Sequence, residues 1–313
     1  MRVAVTGATG LLGSALVTHF ASSHDVDVIA LTSGSLEDAH TRWRAAADGE
    51  WNSRSVEVIE TAPRGIVDAV EKAGRLDWVV NCAFPRARGG LELAAGLDYQ
   101  QSLFSAAGRS EVGAVLNMSS QSVYRSDRAE PADENAELDL DTTYATAKYA
   151  SELFAQVSLK ETPLIQARLS SLIAAGFEQR VVNKLVRRAM SGHDLTITTP
   201  RVVFDFMDVR DAVGAIRAVI SSEPKAGVEH LNIGSGVPYT LGGIADAVGA
   251  VVNEEFGQSI SVTSLESDER RSSALDCGRL RAEYGFEPTY ALTDTIRDIA
   301  KTVIGNRREE GME

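Results

Sequence analysis

Short apolar segments alternate with helical patterns through the first half of the chain. Their β-branched and apolar residues predict six strands: Arg2–Thr6, Val26–Leu31, Val56–Ile59, Trp78–Asn81, Val115–Met118 and Leu164–Leu169. The intervening periodicity predicts helices over residues 11–22, 36–47, 64–73, 92–107 and 144–159. Strands that recur with helices between them need crossover connections, so the pattern predicts a parallel sheet with helices packed on its faces.

Beyond about residue 170 the strict alternation is lost. The periodicity there predicts a strand near 229–233 and helices near 179–191, 209–221, 241–255 and 290–303. A chain of 313 residues is near the usual size of two lobes. We therefore expect an α/β fold with a doubly wound parallel sheet in residues 1–170, segments near 205–235 that return to it, and a smaller α+β substrate lobe in residues 171–313.

A glycine-rich turn follows the first predicted strand. Residues 7–13 read G-A-T-G-L-L-G and open the first predicted helix. Glycines at this spacing allow a tight turn and a close approach of the backbone to a pyrophosphate, whose charge then lies on free N–H groups at the helix N-terminus. Because the turn lies between a strand and a helix, it predicts a Rossmann domain that binds a dinucleotide.

The end of the second strand bears on the choice between NAD and NADP. An acidic residue there would bind the adenosine ribose of NAD. Residues 32–35 read T-S-G-S instead, and the first carboxylate is Glu37. This favours NADP slightly, with Ser33, Ser35, Arg42 or Arg44 as partners of the 2′-phosphate. A solvated helix face explains the two arginines equally well.

Tyr144 and Lys148 lie four residues apart in a predicted helix. This spacing places both side chains on one helix face. An ammonium beside a phenol favours the phenolate. The pair therefore makes Tyr144 a candidate general acid/base for a hydroxyl or carbonyl group next to a nicotinamide.

Charge and cysteine content narrow the range of partners. Asp and Glu number 44 against 31 Lys and Arg, which gives a net charge of −13 and disfavours a nucleic-acid partner. Cys82 and Cys277 have no metal-ligand spacing with the five histidines, so we expect no metal site. Without an apolar run of about 18 residues we expect no membrane association and a cytoplasmic protein.

The chain resembles the extended short-chain dehydrogenase/reductases, the NAD-dependent epimerase/dehydratase family, and in particular its nucleotide-sugar-modifying branch. The motifs follow the family order over nearly the whole chain: T-G-A-T-G-L-L-G at 6–13, N-C-A at 81–83, S-S-Q-S-V-Y at 119–124, Y-A-T-A-K at 144–148, F-M-D-V-R-D at 206–211 and N-I-G-S at 232–235.

The resemblance implies roles for individual residues. The catalytic residues would be Tyr144, Lys148 and Ser120, with Ser120 bonded to the reacting oxygen and Lys148 in contact with the nicotinamide ribose. The implied cofactor contacts are Gly7, Thr9, Gly10, Leu11, Leu12, Gly13, Thr32, Ser33, Arg42, Asn81, Ala83, Met118, Tyr144 and Lys148. The helices predicted at 92–107 and 144–159 carry more apolar residues than one helix face needs to cover a sheet, Phe154 among them, and the family implies a homodimer formed through these two helices.

Two departures from the family pattern narrow the chemistry. The family's dehydratases carry Asp and then Glu where this chain has Gln121 and Ser122, and its 3,5-epimerases carry Cys at the position of Ser122. Neither Gln nor Ser titrates near neutral pH, so dehydration and carbon-acid chemistry are disfavoured. Reversible hydride transfer at one carbon remains, as 4-epimerisation or as reduction or oxidation.

The substrate contacts are less well defined by the pattern. Ser171 replaces a family asparagine, and Phe204 replaces an arginine. The candidate substrate residues are Phe84, Arg86, Gln121, Ser122, Ser171, Lys184 and Arg271. A nucleotide-linked sugar is the expected small-molecule substrate. The alternatives are an NADPH-dependent ketone reductase for another substrate and, less favoured, a cofactor-sensing protein without turnover.

Overall fold

The structure, a computed structural model, describes residues 1–47, 56–61, 65–85 and 90–309. The chain divides into two compact units. Unit 1 comprises Met1–Val123, Leu138–Leu169 and Val213–Asn232, and unit 2 comprises Tyr124–Glu137, Ser170–Ala212 and Ile233–Glu313. Residues 124–137 belong to unit 2 because the Ala132 N–H bonds to Ala274 O at 3.0 Å and the Asp276 N–H bonds to Ala132 O at 2.8 Å.

The described residues form twelve strands and ten α-helices. The strands are β1 (Arg2–Thr6), β2 (Asp27–Thr32), β3 (Val56–Glu60), β4 (Leu76–Asn81), β5 (Val112–Ser120), β6 (Leu164–Leu169), β7 (Ser171–Ile173), β8 (Leu195–Ile197), β9 (Val203–Asp208), β10 (Val228–Ile233), β11 (Pro238–Thr240) and β12 (Val262–Ser264). The helices are α1 (Leu11–Ala21), α2 (Leu36–Ala46), α3 (Ile66–Ala73), α4 (Gly90–Arg109), α5 (Thr143–Ser158), α6 (Val181–Met190), α7 (Val209–Ser221), α8 (Leu241–Phe256), α9 (Gly278–Tyr284) and α10 (Leu292–Glu309).

Seven strands form one sheet in the order β10-β6-β5-β4-β1-β2-β3. The pairs from β6 to β3 are parallel, with Val5 of β1 opposite Ala30 of β2 and Val80 of β4. Val3, Ala4 and Val5 are fully buried because helices cover both faces of a parallel sheet. The predicted α/β fold with a doubly wound parallel sheet is confirmed.

Unit 2 has its own core and two small sheets. The sheets have the orders β11-β9-β7 and β12-β8. Apolar residues of α6, α8 and α10 pack with residues of β7, β8 and β9, among them Val186, Ile244, Ile296 and Phe206. Strands β7, β8, β11 and β12 have three residues each, which is too short for a periodicity to indicate them.

Helices α4 and α5 expose less apolar surface than their sequence pattern indicates. Leu103 and Phe104 of α4 are fully buried in the core of unit 1, and Phe154 of α5 packs against that core. The outward apolar side chains of α5 are Leu153, 44% exposed, and Val157, 67% exposed. Phe154 is thus partly buried within the protomer, and a homodimer through these helices stays a prediction.

Candidate active site

The glycine turn after β1 is closed tightly against its surroundings. Gly7 has φ +61°, and a Cβ on it would lie 2.8 Å from the backbone of Ala83. A Cβ on Gly13 would lie 2.1 Å from the Gly7 carbonyl oxygen. Gly10 caps α1 without a side-chain hydrogen bond, and the first turn of α1 holds no acidic residue. The N–H groups at this end of α1 and the bare backbone fit a pyrophosphate.

Buried side chains hold the segment that faces the glycine turn. The Ala83 N–H donates to Thr6 Oγ1 at 3.2 Å, and Gln100 Nε2 donates to the Ala83 carbonyl at 2.5 Å. Asn81 accepts from Thr6 Oγ1 at 2.6 Å and donates to Gln100 Oε1 at 2.6 Å and to Asn117 Oδ1 at 2.8 Å. The Asn81 side chain therefore lies inside this network. Thr6 begins the T-G-A-T-G-L-L-G motif but was assigned no role from the sequence, and Gln100 carries no motif signal.

Tyr144, Lys148 and Phe84 form one cluster beside the end of β5. Tyr144 is 37% exposed in the first turn of α5, which Thr142 caps by accepting the Ala145 N–H at 3.0 Å. The Lys148 ammonium donates to the Met118 carbonyl at 2.7 Å and lies 4.0 Å from the centre of the Phe84 ring. The Phe84 ring meets Tyr144 edge to face at 5.9 Å. The predicted pair thus lies on one helix face, with Phe84 packed against both members.

The surroundings of Lys148 bring its pKa close to neutral pH, so that the ammonium and the amine are both populated. Burial lowers the pKa of Lys148 to about 7, against an opposing contribution from the Glu152 carboxylate. Burial also raises the pKa of the Cys82 thiol to about 12, so this thiol is neutral at pH 7. The ammonium fraction of Lys148 therefore depends on small changes in the charges around it.

Ser120 ends β5, and a short 3₁₀ helix, Gln121–Val123, follows it. Its hydroxyl oxygen accepts hydrogen bonds from the Ser122 N–H at 3.2 Å and from Ser122 Oγ at 2.9 Å. Since both bonds are accepted by the oxygen, the Ser120 proton can be donated to another acceptor. Ser122 thus orients Ser120, and Gln121 is half-buried beside it.

The residues predicted to bind the adenosine part of the cofactor lie at the end of β2, in the turn after it and on α2. Thr32 is buried at the end of β2, and its Oγ1 accepts the Gly34 N–H at 3.1 Å. Ser33 is exposed. The exposed Arg42 side chain of α2 reaches the glycine turn and donates to the Thr9 carbonyl at 3.4 Å. Arg42 is therefore the basic residue that the structure places at the turn.

The substrate candidates of unit 2 lie on separate elements. Ser171 begins β7 opposite Phe206 of β9, and Lys184 is exposed on α6. The Arg271 side chain is 67% exposed and forms an ion pair with Glu269 at 3.4 Å. Arg86 lies outside the described residues.

Phe204, which replaces an arginine of the family pattern, forms an aromatic pair with Phe206. The rings of Phe204 and Phe206 stack with their centres 5.2 Å apart and their planes at 20°. Phe204 is partly buried against the core of unit 2 and pairs with Tyr239 of β11 in register. An apolar side chain here offers no charge to an anionic ligand.

Two features are absent from the part of the chain that the structure describes. No group of three or more His, Cys, Asp and Glu side chains there could hold a metal ion. No helix within the same residues is long and apolar enough to cross a lipid bilayer.

The fold, the glycine turn and the Tyr144–Lys148 pair define a dinucleotide-binding protein of the short-chain dehydrogenase type. The chain belongs to the NAD-dependent epimerase/dehydratase family, whose model matches residues 3–234. This confirms the resemblance drawn from the sequence motifs.

Individual relatives cover nearly the whole chain. It is 26% identical to UDP-glucose 4-epimerase of Mycolicibacterium smegmatis, over 97% of each chain. It is 25% identical to a rice protein (Oryza sativa subsp. japonica) provisionally named GDP-L-fucose synthase 2, over 95% of this chain and 85% of the relative. A solved structure of UDP-glucuronic acid 4-epimerase from Bacillus cereus, in complex with UDP-glucuronic acid and NAD, superposes with a TM-score of 0.81 over 98% of this chain and 100% of the other, at 18% identity. This structural likeness supports the fold.

Proposed function

We propose that the protein is an NAD(P)-dependent epimerase or related redox enzyme that acts on a nucleotide-linked sugar by reversible hydride transfer at one hydroxyl or keto carbon. The observation that carries the proposal is the Tyr144–Lys148 pair on α5, beside the end of β5 and the Ser120 hydroxyl. Membership of the epimerase/dehydratase family supports the same class of chemistry.

The glycine turn is proposed to hold the pyrophosphate of the cofactor. Gly7, Gly10 and Gly13 have no side chains that would separate the backbone from the pyrophosphate. The free N–H groups of the first turn of α1 bind its negative charge. When bound, the nicotinamide accepts a hydride from the substrate carbon and can return it. Arg42 would lie near the adenosine end, which favours NADP slightly over NAD.

Tyr144 is the proposed acid/base. Its phenolate takes the proton of the substrate hydroxyl as the hydride leaves the same carbon, and its phenol returns the proton in the reverse direction. The Lys148 ammonium stabilises the phenolate, and Ser120 donates its proton to the reacting oxygen. An epimerase would turn the ketone over before the hydride returns, whereas a reductase would release it.

Dehydration is disfavoured by the residues that follow Ser120. Gln121 and Ser122 lack the paired acid and base that water elimination needs, and Ser122 already donates to Ser120. The family includes dehydratases as well as epimerases, and for this chain we propose hydride transfer without dehydration.

A second candidate function is an NADPH-dependent ketone reductase whose substrate is not a nucleotide-sugar. Phe204 favours it, because this apolar side chain, stacked on Phe206, replaces the arginine of the family. Ser171 in place of the family asparagine points the same way.

Ligand-induced thermal stabilisation tests the two functions against each other. Protein loaded with NAD or NADP is mixed with UDP-, GDP- or dTDP-sugars or with simple cyclic ketones. A ligand at 100 times its dissociation constant stabilises by about 2.7 kcal/mol. Stabilisation by one nucleotide-sugar supports the first function. Stabilisation by ketones alone supports the reductase, and no response to either cofactor contradicts both.

We also propose that the protein is a homodimer through α4 and α5. Leu153 and Val157 lie on the outer face of α5, four residues apart. An isologous interface would pair this strip with itself.

A further inference from the structure

Glu152 lies one helical turn beyond Lys148 and two turns beyond Tyr144 on α5. It is 2% exposed. Its carboxylate accepts hydrogen bonds from Arg168 Nε at 3.2 Å and Arg168 Nη2 at 2.9 Å, and a further one from Ser119 Oγ. A buried carboxylate with this number of donors is held in one position.

Two polar contacts, one helical turn apart, join α5 to the end of β5. Lys148 Nζ donates to the Met118 carbonyl at 2.7 Å, and Glu152 accepts from the Ser119 hydroxyl. Ser120 is the next residue of the strand. Because residues 118–120 are consecutive, these contacts set the position of Ser120 relative to the face of α5 that carries Tyr144.

Glu152 is the negatively charged group in the surroundings of Lys148. Lys148 contacts the Met118 carbonyl of β5 and the Phe84 ring, Cys82 at the end of β4 and Glu152 of α5 act on it electrostatically, and Arg168 of β6 is ion-paired with Glu152. The Cys82 thiol, whose pKa burial raises to about 12, is neutral at pH 7. The carboxylate of Glu152 is thus the charge that opposes loss of the Lys148 proton.

Glu152 itself stays ionised over the whole working range of pH. Burial acts to raise its pKa, but the nearby imidazole of His230 of β10, the hydrogen bonds and charge of Arg168 of β6 and the hydrogen bond from Ser119 outweigh burial and hold the pKa at about 2. His230 Nε2 lies 3.7 Å from the carboxylate. Glu152 therefore supplies a permanent charge.

We propose that Glu152 is a positioning residue for the Tyr144–Lys148 pair: its carboxylate stabilises the Lys148 ammonium and, through Ser119, fixes the place of Ser120. The consequence for turnover rests on the proposed function. The effect on Lys148 does not, because it concerns the protein without substrate.

The first test measures the titration of Lys148 directly. The chain has six lysines, so protein labelled with ¹³C at lysine Cε gives few resonances, and a Lys148→Met variant assigns the one of interest. In Glu152→Gln the midpoint of Lys148 is expected to fall by about one pH unit, because the stabilising charge is gone. Glu161→Gln removes an exposed carboxylate just beyond α5 and should leave the midpoint unchanged.

A double variant covers the case in which Glu152→Gln does not fold. Glu152→Gln with Arg168→Gln removes both members of the buried ion pair, so no arginine is left without its carboxylate, and the Lys148 midpoint is again expected below the wild-type value. An unchanged midpoint in whichever of these variants folds overturns the proposal. A fall of the same size in Glu161→Gln overturns it too, since the effect would then be general.

The contact through Ser119 is tested separately. Ser119→Ala keeps the charge of Glu152 and removes the hydroxyl that joins it to β5. The Lys148 midpoint should stay at its wild-type value, while kcat falls about tenfold with KM unchanged. An unchanged kcat overturns this part of the proposal. If the wild-type protein turns over no nucleotide-sugar, the proposed function fails, and the lysine titration still decides the role of Glu152.

Discussion

The two units use the residues of the family motifs in different ways. In unit 1, Tyr144 is 37% exposed and Ser120 carries a hydroxyl proton that can be donated to a ligand. In unit 2, Asp208 accepts hydrogen bonds from Arg210 Nε at 2.9 Å and from Thr295 Oγ1 at 2.6 Å. Tyr144 is thus partly open to solvent while Ser120 is buried beside it, whereas Asp208 holds parts of the protein together.

Asp205 shows the structural use most clearly. It is fully buried and accepts the N–H groups of Ser235 and Gly236 at 2.9 and 3.0 Å and the Ser235 hydroxyl at 2.9 Å. These bonds connect β9 to the turn after β10. A motif match therefore identifies the family in both units, but it indicates a ligand-binding position only where side chains remain accessible.

The largest expected effect comes from Tyr144→Phe, which keeps the ring and removes the proton-carrying oxygen. Turnover of the true substrate should fall about 10²–10⁴-fold. Cofactor affinity, measured by fluorescence titration, and the free energy of unfolding should stay near the wild-type values, because the side chain is partly exposed. Normal turnover in this variant would contradict the assignment of Tyr144.

Asp205→Ala is expected to change the free energy of unfolding, which Tyr144→Phe should leave near the wild-type value. Removing the carboxylate leaves the N–H groups of Ser235 and Gly236 without their acceptor, which should lower the free energy of unfolding by about 2–4 kcal/mol in urea denaturation. Glu223→Ala, at an exposed position, is the control and should change it by less than about 0.5 kcal/mol. If Asp205→Ala were as stable as the control, the distinction between the two units would fail.

Sequence patterns predicted unit 1 closely because its strands are long and buried on both faces. The bounds of β1 and β6 match the predicted segments, and β5 extends beyond 115–118 to Val112–Ser120. The Tyr144–Lys148 face followed from helical spacing alone. Local spacing was sufficient there, since both partners lie on one element.

Contacts between distant segments could not be predicted in this way. The Glu152–Arg168 pair joins α5 to β6, and Gln100 of α4 bonds to Ala83 after β4. Each requires knowledge of which elements are neighbours in the sheet. The three-residue strands of unit 2 are also beyond periodicity, because a pattern of period two needs more residues to be recognised.

Phe204→Arg adds a positive charge to unit 2 and tests whether a nucleotide diphosphate binds near β9. If the substrate carries a diphosphate that approaches β9, an arginine there should tighten binding of the nucleotide diphosphate about tenfold by calorimetry. Phe204→Leu, which keeps an apolar side chain, is the matched control. Equal affinity in both variants would favour the ketone reductase.

A smaller effect is expected for Arg42→Ala. The Arg42 side chain reaches the carbonyl of Thr9 in the glycine turn, whereas Arg44 is exposed in the last turn of α2. Loss of one exposed charge partner should weaken NADP about fivefold and leave NAD unchanged. Arg44→Ala should have less effect. A strong preference for NAD that neither variant alters would contradict the predicted slight preference for NADP.

The smallest change, a factor of two in mass, is expected for Val157→Asp. Val157 is 67% exposed in the protomer, so the substitution should not disturb the fold of unit 1. In a dimer joined through α5, each copy would place a carboxylate against its symmetry mate, at a cost of several kcal/mol. Light scattering at micromolar concentration should then give the mass of two chains for the wild type and of one chain for the variant.

Lys160→Asp, just beyond the end of α5, is the control for added charge and should remain dimeric. A wild-type mass of one chain would remove the dimer, and a Val157→Asp variant that keeps the mass of two chains would place the interface on another surface.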